Sequence, residues 1–378
     1  MTTTPRIAVL GAGYTGLAAA KLLANRTDGV VTLVNNRDYF VPRMRNHQVA
    51  SGRPSRRLPL RGLLKGTGIR LFVDQVTGID AAAREVVLAG AADPVGYDLL
   101  VYAMGSQADL ATVPGAAEHA YGVAAVEQAE RLHERMRTAG TVAVAGAGLT
   151  GIEVATELAE TYPDRTVRLV TSGALGAQLS EPGREYLHRA ADRFGIQVLE
   201  HATVGKVGPD GVLLADGAHV AADAVAWTTG FTVPALARAA GLAVDERGRL
   251  VVDSTMRSES HPEIYGIGDV AAIRNRDGRL LRMGCGPGGL AAVCAVHAIT
   301  DREAGRTPKP LRVKDDALCI SLGQRDGILQ PTELDGTPKG KVRTGRPVAA
   351  FKRFILRTTG VVFPRYPGLV AAGAAGRA

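Results

Sequence analysis

The sequence predicts an α/β protein with two parallel-sheet domains, and three observations predict it. A β-branched run, a Gly-x-Gly-x-x-Gly turn and an alanine-rich, apolar-periodic run occur in that order twice, as RIAVLGAGYTGLAAAKLLA at 6–24 and TVAVAGAGLTGIEVATELAE at 141–160. The period from Gly11 to Gly146 is 135 residues, too long for a stacked repeat and right for a whole domain. Each copy is followed by an alternating, turn-punctuated stretch that reads as antiparallel strands.

The elements follow in order. IAVLGAG and VAVAGAG are continuous Val, Ile and Ala without alternation, the mark of a strand covered on both faces. YTGLAAAKLLA and LTGIEVATELAE space their apolar residues as helices, and VVTLVN at 30–35 and TVRLVT at 166–171 supply second strands. Each copy is thus one βαβ unit of about 30 residues. The first continues through IRLFVDQVTGIDAAAREVVLAG at 69–90 to YDLLVYAMGS at 97–106, the second through IQVLEHATVGKVGPDGVLLADGAHV at 196–220 to ADAVAWTTGF at 222–231. HPEIYGIGDVAA at 261–272 is a further strand and turn, and GLAAVCAVHAIT at 289–300 a helix. Pro308 and Pro310 mark a boundary before a small C-terminal segment, in which Val348, Phe351 and Ile355 share a helix face beside Lys352, Arg353 and Arg357. We therefore expect residues 1–112 and 256–306 to form one dinucleotide-binding domain, 113–255 a second inserted in it, and 307–378 an interface or membrane-facing segment.

A chain of 378 residues exceeds the usual single-core limit, and 46% hydrophobic with 22% charged residues is the composition of a soluble globular protein. No charged and then apolar leader opens the chain, and no apolar stretch is long enough to cross a bilayer. Cys285, Cys294 and Cys319 form no C-x-x-C or C-x₄-C spacing, so neither a disulfide framework nor a redox dithiol is expected, and the cytoplasm is the expected compartment. The histidines form no H-x-x-x-H or His/Cys cluster, no G-x-S-x-G occurs, and metal or serine-nucleophile chemistry is not indicated.

The net charge of +8 is a property of the C-terminus: nine basic and no acidic residues follow Asp335. A second basic stretch, Arg43 to Arg70, has eight Arg or Lys and no acid. The tail reads either as a solvated surface or as attraction to an anionic membrane face, worth about 1 kcal/mol per basic residue, with Phe351, Phe354 and Ile355 dipping in. With 4% aromatic residues and no recognition module, nucleic acid is not the expected partner.

The glycines are placed for chemistry. In such a turn the first permits the sharp strand-to-helix reversal, the second lets a pyrophosphate approach the backbone, and the third lets helix and strand pack closely. The phosphates meet free N–H groups at the positive end of the helix dipole. One motif is weak; two, each between a buried strand and an amphipathic helix, predict two Rossmann-like dinucleotide domains. Two dinucleotides on one chain suit electron transfer between a flavin and a nicotinamide.

The ordered set GAGYTG, YDLLVYAMGS, GAGLTGIE, ADAVAWTTGF and HPEIYGIGDVAA resembles the two-dinucleotide flavoprotein family of pyridine-nucleotide oxidoreductases over roughly residues 6–300. Within it the chain is most similar to type II NADH dehydrogenases and apoptosis-inducing-factor-like NAD(P)H:quinone oxidoreductases. The resemblance implies that Gly11, Gly13 and Gly16 cradle the FAD pyrophosphate. It places Asp269, after Gly268, on the ribityl chain or phosphate, and Ala103 and Gly105 on a strand beside FAD. Gly146, Gly148 and Gly151 would hold NAD(P)H, Thr229 and Gly230 would line it, and Glu153 matches an acidic, catalytic residue near the nicotinamide. Arg43 and His47 fall in a segment that lies over the flavin, and the helix after Gly288 would aim its N-terminus at the ring.

The chain also departs from the pattern. Asn35 stands where an acidic residue usually binds the adenosine ribose of FAD, with Asp38 as a competitor. Thr171, Ser172 and Gly173 carry neither a carboxylate for a free 2′-hydroxyl nor an arginine for a 2′-phosphate, leaving NADH and NADPH both open. The glutamine-bearing quinone motif is absent after Cys285, whose blander reading is a small buried thiol. For Glu153 the blander reading is a solvated helix residue, and for Trp227 a core residue. The expectation is an FAD-dependent NAD(P)H oxidoreductase that donates to a quinone or similar small acceptor. A ferredoxin- or rubredoxin-like protein acceptor and a flavin-bearing redox sensor are the alternatives. Whether the C-terminal segment forms a homodimer interface or lies on a membrane stays open.

Overall fold

The computed structural model describes residues 4–275, 277–313, 316–333 and 335–368. Two five-stranded, all-parallel sheets organise it. In the first, strands run in the spatial order Ile264–Gly266, Leu99–Tyr102, Arg6–Leu10, Val30–Asn35, Arg70–Val73. In the second the order is Ala120–Gly122, Ala224–Trp227, Thr141–Ala145, Thr166–Val170, Gln197–Leu199. Both centre on the strand that precedes a glycine turn. The chain reverses direction across the sheet there, which opens a crevice at the strand's carboxyl end.

The alternating stretches form matching three-stranded antiparallel sheets, Val76–Asp80, Glu85–Leu88 and Val95–Gly96 in the first half, Val204–Gly208, Gly211–Leu214 and His219–Ala221 in the second. Two short strands, Gln107–Ala108 and Phe231–Thr232, pair antiparallel where the chain enters and leaves the second domain. This double crossing brings the crevices of the two sheets to a shared junction.

Apolar packing divides differently from the expected bounds. Ala237, Leu242, Leu250 and Val252, which the sequence reading gives to the second domain, pack into the core of the first. Leu318, Ile320, Leu322 and Ile328 of the C-terminal segment pack into the core of the second. These four belong to a hairpin, Asp316–Leu322 and Asp326–Thr332, that lies against the helix Leu149–Thr161.

The C-terminal helix, Arg346–Arg357, corrects the sequence reading of its faces. Val348, Ala349, Lys352 and Leu356 are buried, whereas Phe351 is 46% and Phe354 63% exposed. The face turned inward therefore carries a lysine, and the phenylalanines look out beside exposed Arg353 and Arg357. Arg377 lies outside the described residues. No described helix is long and apolar enough to cross a membrane, and no described group of His, Cys, Asp and Glu is arranged to hold a metal ion.

Candidate dinucleotide and electron-transfer site

Both glycine turns are built the same way. Gly11 N–H donates to Val34 O and Gly146 N–H to Val170 O, each at 2.8 Å. Their φ angles of +97° and +100° lie in the region where a side chain is strained. A Cβ on Gly16 would fall 1.9 Å from Gly11 O, and one on Gly151 1.8 Å from Gly146 O, so these third glycines let helix cross strand at contact distance. Gly13 and Gly148 are different: a Cβ there meets nothing within 4 Å. They are small toward open space, which suits a pyrophosphate coming up to the backbone. No side chain caps the helix starting at Tyr14 or the one starting at Leu149, and neither first turn carries an acid. Each leaves its first N–H groups for an anion.

Around the first turn the structure gathers most residues singled out from sequence. Asn35 Oδ1 accepts from Ala12 N–H at 2.8 Å and Asn35 Nδ2 donates to Arg37 O at 2.8 Å, which fixes the amide against the cradle. Asp38 is exposed on the following turn. Ala103 backs directly onto Gly11, where an added Cβ would lie 2.5 Å from Ala103 O, and Gly105 at φ +69° faces open space. Gly268, at φ +75°, packs on Thr15 of the first helix and places Asp269 at its start. Gly268, Asp269 and Gly288 line one concave pocket with Met283 and Pro287.

One residue here escaped the sequence reading. Ser106 Oγ donates to Asp269 Oδ2 at 2.6 Å, while Arg43 Nη1 donates to Ser106 O at 2.6 Å and to its Oγ at 3.2 Å. The guanidinium also sits 5.5 Å over the Phe231 ring, so Arg43 spans from the first crevice to the strand leaving the second. Ser106 follows the short Ala-Met-Gly run directly, and that adjacency was its only signal in the sequence.

Cys285 starts the 19-residue helix Cys285–Glu303, which no side chain caps. Solvent reaches this residue, contrary to the expected buried thiol, yet the protein packed beside it pushes the thiol up to about 11, with the Asp269 carboxylate adding to the shift.

At the second turn Thr228 Oγ1 donates to Ala145 O at 2.8 Å and to Gly146 O at 3.0 Å, and Thr229 and Gly230 continue along the crevice. Trp227 is buried, as expected, and its indole N–H donates to Asp109 O at 2.7 Å. Glu153, on the helix from this turn, is neither solvated nor directed at the glycines. It is 8% exposed; its Oε1 accepts from Lys352 Nζ at 2.9 Å and from Ser321 N–H at 3.0 Å. His47 Nδ1 faces its other oxygen at 3.7 Å, and His47 Nε2 is buried without a hydrogen-bond partner among the described residues.

This cluster joins three parts of the chain. Burial opposes the Glu153 carboxylate, but Lys352 and then His47 hold it below its usual range. Burial likewise opposes the Lys352 charge, and Glu153 overcomes it and raises the ammonium. His47 is pushed down by burial and stays neutral at pH 7. One turn on, Glu157 is fully buried and takes Arg53 Nε at 3.0 Å and Gln324 Nε2 at 2.5 Å; Glu160 accepts from Gln324 N–H at 2.7 Å. Residues 153, 157 and 160 share one face of the helix, and the C-terminal hairpin supplies a partner for each.

Comparison with known proteins agrees with this architecture. The family model described as pyridine nucleotide-disulphide oxidoreductase matches residues 5–288. The NADH dehydrogenase-like protein Rv1812c of Mycobacterium tuberculosis is 32% identical over 307 residues, covering 74% of this chain and 76% of that one. Demethylphylloquinone reductase NdbB of Synechocystis is 26% identical, covering 73% and 74%. The sulfide:quinone oxidoreductase of Aquifex aeolicus superposes with a TM-score of 0.82 at 19% identity, covering 96% of this chain and 92% of that one, which shows a shared fold.

Proposed function

The chain belongs to the pyridine nucleotide-disulphide oxidoreductase family, and from that premise we propose that it is an NAD(P)H:quinone oxidoreductase working through FAD without a redox disulfide. It is an oxidoreductase dependent on FAD and NAD(P)H. The observation that carries the finer proposal is the pair of open cradles joined at one junction, in a chain whose cysteines form no dithiol pair. A quinone reductase among its relatives supports the acceptor class.

When bound, FAD supplies a two-electron relay between nicotinamide and acceptor. The chain's own residues place and poise the partners. Gly11 and Gly146 close the two turns, and the uncapped helix starts at Gly13 and Gly148 present backbone N–H groups to one pyrophosphate each. Asn35 stands at the first ribose, and Asp269, oriented by Ser106, at the sugar–phosphate chain. Arg43 and the uncapped start of the Cys285–Glu303 helix set a positive field where negative charge develops. Thr229 and Gly230 line the nicotinamide side. Hydride transfer needs orientation and exclusion of water, not a protein acid or base.

Quinol formation also takes up protons. Lys352 holds one in a buried position, and Glu153 keeps it there by pairing with the ammonium. Glu153 thus acts as a positioning residue for Lys352 in this reading. The outward Phe351 and Phe354, beside Arg353 and Arg357, suit contact with a membrane in which an apolar quinone is dissolved.

Anaerobic titration of the FAD-loaded protein with NADH and with NADPH tests the proposal. Loss of the visible flavin band and its return on adding menadione are expected. A flavin that either nicotinamide bleaches but no quinone re-oxidises refutes the acceptor assignment.

A further inference from the structure

A pocket outside the two crevices is lined by three arginines. Arg45, Arg53 and Arg56 line a shallow, solvent-open hollow with Pro42, Gln48, Val49, Pro54 and Ser55, and no carboxylate lines it. Arg45 directs its Nε to Gln48 Oε1 at 3.0 Å and Arg53 its Nε to Glu157 Oε1 at 3.0 Å. Arg56 forms no hydrogen bond or ion pair among the described residues. Burial and then the charges of Arg56 and Arg53 weaken the hold of Arg45 on its proton, so the three groups bear on one another. Like charges gathered around a hollow call for an anion, and guanidinium forks match phosphate oxygens.

The surroundings decide which anion. Pro42, in the pocket wall, lies 3.5 Å from where a Cβ on Gly360 would stand. Gly360 belongs to the turn Thr358–Val362, which continues the C-terminal helix. Along this stretch Phe354 is 63%, Val362 37% and Tyr366 60% exposed. An apolar outward surface and an arginine pocket thus share a wall.

We propose that Arg45, Arg53 and Arg56 form a binding site for the phosphate of an anionic lipid, seated when the C-terminal apolar surface enters the membrane. The site rests on the reading that this face meets a membrane and on no step of electron transfer. It differs from attraction by the basic tail because it assigns binding to three residues that lie some 300 positions earlier in the chain.

The test uses the FAD-loaded full chain and flotation with vesicles of phosphatidylcholine, with and without about one-third phosphatidylglycerol. Wild type is expected to bind the anionic vesicles, with Arg56→Ala weakening that binding about fivefold and Arg56→Glu about thirtyfold. Arg189→Glu, on the helix Glu181–Arg193 that lines no part of the pocket, is the charge-matched control and is expected to bind nearly as wild type. Menadione reduction in solution should be unchanged in all variants, which separates this site from the electron-transfer reading. Equal binding by wild type and Arg56→Glu overturns the proposal, as does equal weakening by Arg189→Glu. Broadening of the inorganic phosphate ³¹P signal by wild type and not by Arg56→Glu, with vesicle binding unaffected, would also overturn it and assign the pocket to free phosphate.

Discussion

Replacing Lys352 by Met tests whether the Glu153–Lys352 contact holds the C-terminal segment on the second domain. The two side chains are 11% and 10% exposed and meet at 2.9 Å, so solvent screens the pair little. Methionine keeps the length and apolar stem of lysine but leaves a carboxylate facing Ser321 and a neutral His47. Removing one member of a buried pair costs about 3–5 kcal/mol, because the remaining charge is desolvated without a partner. Part of that is avoided if Glu153 takes up a proton, which burial favours once Lys352 is gone. Glu153→Gln removes the stranded charge altogether, so the double variant should be more stable than Lys352→Met alone by about 1–3 kcal/mol. Urea unfolding of all four FAD-loaded proteins gives the cycle, and hydrogen exchange at the Ser321 amide reports the hairpin locally. Additive losses, or a cost below about 1 kcal/mol for Lys352→Met, refute the view that a buried ion pair joins these segments.

Three further outcomes follow from the same geometry. His47 is buried and its folded pKa is pushed below the ordinary 6.5, so the unfolded chain binds more protons and stability falls as pH drops through 6.5 toward the folded value. That slope approaches about 1.4 kcal/mol per pH unit for one proton, and His47→Gln should flatten it in denaturant titrations at pH 5–7. Gly13 and Gly148 face open space, so Gly13→Val should abolish FAD retention at little cost to the apoprotein fold. Gly148→Val should keep the yellow cofactor and raise the KM for NAD(P)H at least tenfold, as read by flavin content and steady-state kinetics. Lys21 Nζ donates to Leu63 O, Pro364 O and Arg365 O at 2.8–3.1 Å, and Lys21→Met should release residues 363–368 to limited proteolysis while both crevices stay intact.

What was legible in the sequence is what backbone conformation and local pattern dictate. The positive φ at Gly11 and Gly146, the close helix–strand crossings at Gly16 and Gly151, and the unbroken Val/Ile strands are local requirements, and local spacing revealed them. The short Ala-Met-Gly strand end and Asp269 were legible through their ordered resemblance to a family. Ser106, Lys352 and the buried state of Glu153 were not, because each depends on a partner more than 150 residues away. Lys352 illustrates the limit: in sequence it stands beside Arg353 in a basic stretch, and a lysine there reads as surface. The carboxylate from another domain, with the Cys319 carbonyl accepting from the same ammonium at 2.7 Å, makes its burial tolerable.

That dependence also explains the form of the second glycine helix. A helix that serves only to aim its N-terminus at a phosphate needs one apolar face, toward its own sheet. The one after Gly148 has a second inward face, with buried Glu153 and Glu157 and half-buried Glu160, which would be unstable without His47, Arg53, Lys352, Ser321 and Gln324 to answer them. The corresponding positions on the helix after Gly13, 135 residues earlier, carry no carboxylate: they are Ala18, Leu22 and Asn25. The two cradles are therefore alike where they meet phosphate and unlike where they meet the rest of the chain. The first helix is fastened to the C-terminus through one ammonium, Lys21, on backbone carbonyls, and the second through a row of carboxylates on side chains. The C-terminal segment is thus held to both domains by buried polar contacts.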